Sequence, residues 1–125
     1  MIPSRIKRVE ELVKETVAVI IHREIKDPRL EFVTITAAHV SPDLHNAIIY
    51  YTIHQDTSDH KKTVQTTLES AAGFIRRELG RLAVLRYLPA LNFVFDEAFR
   101  EGARIDSLLS KIHNEEQSKP DESEE

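Results

Sequence analysis

The chain has 125 residues, 41% of them hydrophobic, with no Cys and a formal net charge of −4. That is enough for one domain with a modest core; it excludes disulfides and thiolate metal sites, which suits a reducing cytosol, and no apolar run approaches the roughly 20 residues that span a bilayer. The charge is uneven: residues 113–125, "HNEEQSKPDESEE", hold six acids and one Lys, which leaves 16 basic and 15 acidic side chains in residues 1–112.

The N-terminal "MIPSRIKRVEEL" is charged and has no apolar h-region, so it does not read as a signal peptide. Ser4 can cap a helix that runs to about Ile25, with Ile6, Val9, Val13, Val17, Ile20 and Ile21 on one stripe. Pro28 disfavours helical geometry at Asp27 and stops it. "FVTITAAHV" (residues 32–40) is a first strand in which Val33, Ile35 and Ala37 alternate, and "SPDLHN" is a turn. "AIIYYTIH" (residues 47–54) places Ala47, Ile49, Tyr51 and Ile53 on one face and completes an antiparallel hairpin.

After a polar connection, a second helix starts near Asp59, with Val64, Leu68 and Ala71 at helical spacing. Gly73 interrupts it, at a cost of about 1 kcal/mol against Ala, and a third helix is expected from there to about Leu85. Pro89 precedes a strand in which Leu91, Phe93 and Phe95 alternate. A short amphipathic helix is expected over residues 103–112. The order α-β-β-α-α-β predicts an α+β domain: a three-stranded sheet with helices on one face, the last strand reached by a crossover. The domain is expected to occupy residues 1–112. The acidic tail, residues 113–125, cannot bury apolar surface and is expected to be disordered.

Catalytic patterns are missing. The six His form no HExxH or comparable metal pair, and there is no GxSxG, no phosphate-binding Gly-rich loop and no Cys nucleophile. A non-enzyme without cofactor or metal is expected.

The basic residues say more. On a helix over residues 74–85, Ile75, Leu79 and Leu82 form an apolar stripe, and Arg76, Arg77 and Arg81 lie across from it. With Arg86, residues 70–90 hold four arginines against one acid, Glu78. One reading is a solvated face in which Glu78 pairs with Arg81 at i,i+3. The other is phosphate binding, in which a helix start after Gly73 offers free N–H groups and a positive dipole end to an anion. Gly80 lies in the same arc, where the missing side chain permits close approach. Arg5, Lys7 and Arg8 form a second basic group, and Lys26 and Arg29 a third. Tyr50 points away from the core face, where it could stack on a base, although an ordinary outward tyrosine is the simpler reading.

Four stretches in colinear order, "REIKDPRL" (23–30), "AAGFIRREL" (71–79), "LRYLPALNFVFDEA" (85–98) and "EGARIDSLL" (101–109), resemble the bacterial ribosome-binding factor A family. The resemblance implies a type II KH-like fold in which an Ala-x-Gly interhelical kink, here Ala71-Ala72-Gly73, replaces the GxxG loop by which KH domains grip single strands. It implies a cytoplasmic, monomeric, non-enzymatic assembly factor. Such a factor binds the free small (30S) ribosomal subunit and assists late maturation of 16S rRNA, including its 5′ end, with most effect in the cold. Assembly GTPases acting in its release are implied partners, and no membrane is. The expected RNA contacts are Arg5, Lys7, Arg8, Lys26, Arg29, Arg76, Arg77, Arg81 and Arg86. Two alternatives remain open: a protein-interaction adaptor using the open sheet face and the C-terminal helix, and another KH-type RNA-binding regulator.

Overall fold

The computed structural model of the chain describes residues 5–54 and 58–98. Helix α1 spans Arg5–Val19 and passes into a π-helical turn, Ile20–Ile25. Strands β1 (Val33–Val40) and β2 (Asn46–Ile53) follow, then helix α2 (Ser58–Leu82) and strand β3 (Ala90–Phe95). β2 is central, antiparallel to β1 and parallel to β3. The parallel pair needs a long crossover, and α2 supplies it.

Alternation of side chains places Ala47, Ile49, Tyr51 and Ile53 of β2, with Leu91, Phe93 and Phe95 of β3, on one buried face. Val13 and Val17 of α1 and Val64, Leu68, Ile75 and Leu79 of α2 join the same core, so both helices cover that face. Thr34, His39, Ile48, Asn92 and Val94 lie exposed on the other.

Three expectations are corrected. First, β1 does not alternate evenly. The register shifts between Ile35 and Ala37, leaving Thr36 as an extra residue, so Ala38 and Val40 turn inward instead of Ala37. Thr36 donates its hydroxyl to Asp96 Oδ2 at 2.6 Å.

Second, the two helices expected on either side of Gly73 are one 25-residue helix. Leu68, Ile75 and Leu79 are fully buried on one stripe across the Gly. Burying each contributes about 1.5–3 kcal/mol, which exceeds the Gly penalty. The helix start expected there as an anion site is therefore absent, because N–H groups in a helix interior are bonded to the carbonyl four residues back.

Third, α2 ends at Leu82, before the expected Leu85. The helix and tail expected beyond residue 98 lie outside the described residues.

Candidate nucleic-acid interface

The segment joining α2 to β3, residues 83–89, has no repeating backbone hydrogen bonds, so its carbonyls need other partners. Arg76 supplies two: its Nε donates to the Pro89 carbonyl at 3.0 Å and its Nη2 to the Leu88 carbonyl at 2.7 Å. The Ala90 N–H donates to the His45 carbonyl at 2.9 Å, which ties the same segment to the β1–β2 turn. Gly80 lets the Leu88 side chain reach α2, for a Cβ there would sit 3.1 Å from Leu88 Cδ2. The close approach expected at Gly80 is thus made by this chain's own leucine.

The turn is equally fixed. Leu44 takes a left-handed φ of 65°. Asp43 Oδ1 accepts from the Ser41 hydroxyl at 2.7 Å and from the His45 N–H at 3.0 Å. The Ser41 hydrogen bond holds the Asp43 carboxyl below the usual carboxylate range.

Between α1, this turn and the α2–β3 segment runs a groove of about 530 Å³. Arg5, Arg8 and Leu12 of α1 form one wall, Val84, Arg86 and Tyr87 another, and no acidic residue lines it. Two basic groups far apart in sequence thus meet in one place. Arg5, Arg8 and Arg86 make no hydrogen bond or ion pair among the described residues. The Arg86 guanidinium lies 5.8 Å from the centre of the Tyr87 ring. The His45 ring meets the Tyr87 ring edge-on, with centroids 5.1 Å apart.

The other expected RNA-binding residues sort differently. Arg77 is exposed and makes no hydrogen bond or ion pair among the described residues. Arg81 donates from Nε and Nη2 to Glu78 Oε1 at 2.9 and 2.7 Å, and this bond raises its already high pKa. Arg29 likewise grips Asp27 from Nε and Nη2, at 3.0 and 2.7 Å, and lowers the Asp27 pKa. Lys26 is exposed, at a left-handed φ of 53° that closes the π turn. Lys7 faces a groove beside β1 that also contains Glu10, Glu11 and Glu15. Ala71 and Ala72 pack against the core, while Gly73 is exposed. Tyr50 meets His39 edge-on on the open face, 5.7 Å between centroids.

Sequence reasoning missed Tyr87. The available signal was an aromatic directly beside Arg86 in the irregular stretch before Pro89. Among the described residues no cluster of three or more His, Asp or Glu could hold a metal, and no helix is long and apolar enough to cross a membrane.

Comparison with known proteins gives a consistent picture. The family model of ribosome-binding factor A matches residues 5–109. The ribosome-binding factor A of Syntrophus aciditrophicus is 44% identical over 115 residues, covering 92% of this chain and 93% of that one. The crystal structure of ribosome-binding factor A from Thermus thermophilus shares the fold, with a TM-score of 0.63 at 24% identity over 73% of this chain and 96% of that one. A homology model of the Thermus thermophilus factor, fitted into the cryo-EM map of its complex with the 30S subunit, superposes with a TM-score of 0.58 at 25% identity over 70% of this chain and 91% of that one.

Proposed function

The chain belongs to the ribosome-binding factor A family, and on that premise we propose that it binds the free small ribosomal subunit through rRNA phosphates and assists late rRNA maturation. One observation carries the reading at residue level: Arg5, Arg8 and Arg86, from the two ends of the fold's sequence, share an acid-free groove. Cations so placed repel one another, and a polyanion relieves that repulsion. The 30S complex of the Thermus relative supports the choice of subunit. The proposal includes 5′-end processing as the step assisted, greatest need in the cold, a monomer acting in the cytoplasm, and release aided by an assembly GTPase.

Arg77 extends the phosphate-binding surface along α2. Arg81 and Arg29, already held by Glu78 and Asp27, contribute less. Cosedimentation with small subunits over a salt series tests the reading. Each Arg→Ala change that deprives a phosphate of its cation lowers the log–log salt slope by about 0.7–0.9. An Arg5→Ala, Arg8→Ala, Arg86→Ala triple variant with the wild-type slope would sink the assignment.

The second reading, a protein adaptor, draws on the open sheet face, where Ile48 is 37% and Val94 41% exposed. RNase treatment of the subunit separates the two, since an adaptor keeps its protein partner once the rRNA is digested.

A further inference from the structure

The arginine groove is more than a phosphate cradle. Phosphate binding needs only cations on a convex or flat surface, as in any duplex-backbone footprint. Here the cations rim a concave site with apolar walls. Leu12 is 38% exposed, Tyr87 45% and Val84 98%, and all three line it. At about 530 Å³, the groove falls in the 300–1,000 Å³ range of small-ligand clefts. The Tyr87 ring also has neighbours on the protein, edge-on against His45 and beside the Arg86 guanidinium. A tyrosine has only two side-chain torsions and loses little entropy when something packs on it.

A base buried in a duplex stack cannot enter such a groove, whereas an unpaired one can. Resting on the rRNA-binding reading above, we propose that this groove is a subsite for one unpaired RNA nucleotide. Its base packs on Tyr87 and the apolar walls, and its flanking phosphates pair with Arg5, Arg8 and Arg86. Single-strand binding is thereby assigned to the α2–β3 segment and the start of α1. The Ala71-Ala72-Gly73 stretch, where KH proteins carry their grip, lies in the interior of an unbroken helix and plays no part in this subsite.

The test uses the full chain, a fluorescein-labelled unstructured RNA octamer and its blunt duplex, read by anisotropy at low salt. Wild type should bind the octamer more tightly than the duplex, by about fivefold or more, since stacking one base is worth at least that much. Tyr87→Ala should weaken octamer binding by about 5- to 150-fold and leave duplex binding unchanged. Tyr87→Phe should stay within about twofold of wild type. Val84→Glu, at a position too exposed to matter for folding, should weaken octamer binding by about fivefold by placing a negative charge beside the phosphates.

Equal affinity for octamer and duplex overturns the subsite, as does wild-type octamer binding by Val84→Glu or by a folded Tyr87→Ala. Variants that lose cosedimentation with subunits while binding the octamer normally also overturn it, and point to a protein occupant. If wild type cosediments with subunits without distinguishing octamer from duplex, the subsite fails and the rRNA reading stands. Wild type that does not cosediment at all overturns the rRNA reading itself.

Discussion

The Arg76 guanidinium reaches from the exposed side of α2 to the Pro89 carbonyl, 3.0 Å from Nε, while its Nη2 holds the preceding carbonyl of Leu88 at 2.7 Å. Reading helix periodicity alone, Arg76 belongs with Arg77 and Arg81 as a phosphate ligand. Its two carbonyl partners make it first a brace for the segment that forms one wall of the groove.

Arg76→Ala therefore acts through stability. It removes two charge-assisted hydrogen bonds and leaves two carbonyls without that partner, one of them part-buried, a loss of about 2 kcal/mol. Urea unfolding monitored by circular dichroism should show it. Arg76→Lys should recover less than half, because an ammonium lacks the planar fork that meets both oxygens. A wild-type midpoint for Arg76→Ala would contradict the bracing role.

Arg77→Ala should do the reverse. The side chain is exposed and makes no hydrogen bond or ion pair among the described residues, so stability should stay within about 0.5 kcal/mol, while the salt slope of subunit binding falls by about 0.7–0.9. Arg81→Ala should lower the slope less, since Glu78 already holds that guanidinium. Glu78→Gln should loosen it, leaving only the Glu24 carboxylate at 3.9 Å, and tighten subunit binding. Equal slopes for Arg77→Ala and Arg81→Ala would show that the Glu78 pair does not survive at the interface.

The two helical glycines should respond differently to Ala. A Cβ at Gly73 meets only the Arg77 guanidinium, at 3.8 Å, so Gly73→Ala should stabilise by about 0.5–1 kcal/mol. At Gly80 the new Cβ presses on Leu88, which must move, so the gain should be smaller or absent. Thermal melts of the two variants give the comparison. A stabilised Gly73→Ala that no longer binds subunits would mean that the position itself touches RNA.

Tyr51 gives a pH signature. Its ring is fully buried, and its hydroxyl donates to Gln65 Oε1, while Gln65 Nε2 donates to the Phe93 carbonyl at 2.9 Å. Burial, assisted by the Glu69 carboxylate, pushes the phenol up to about 12. Because the folded value lies above the unfolded one, near 10, the neutral phenol's contribution is whole below pH 10 and is lost as pH rises toward 12. Wild type should exceed Tyr51→Phe by about 1 kcal/mol at neutral pH, one hydrogen bond's worth. That advantage should shrink and reverse between pH 10 and 12, by about 1.4 kcal/mol per pH unit at most. Parallel stability curves for the two proteins across that range would refute it.

The order of helix and strand segments, apart from the break expected at Gly73, the hairpin, the buried face of β2 and β3 and the stripe of α1 were all legible in the sequence, because each follows from a local period: 2 in a strand, 3.6 in a helix. The basic segments were equally legible as composition. What became of them depended on long-range packing. It ran α2 straight through Gly73, since residues on both sides bury against the same sheet, and it turned β1 at Thr36, since a bulge depends on the partner strand. It gave Arg76 to the Leu88 and Pro89 carbonyls, and of the two readings open for Arg81 it kept the local pair with Glu78. It brought Arg5, Arg8 and Arg86 to one groove beside Tyr87. The groove joins residues about 80 positions apart, and local periodicity carries no record of which distant side chains the folded chain sets side by side.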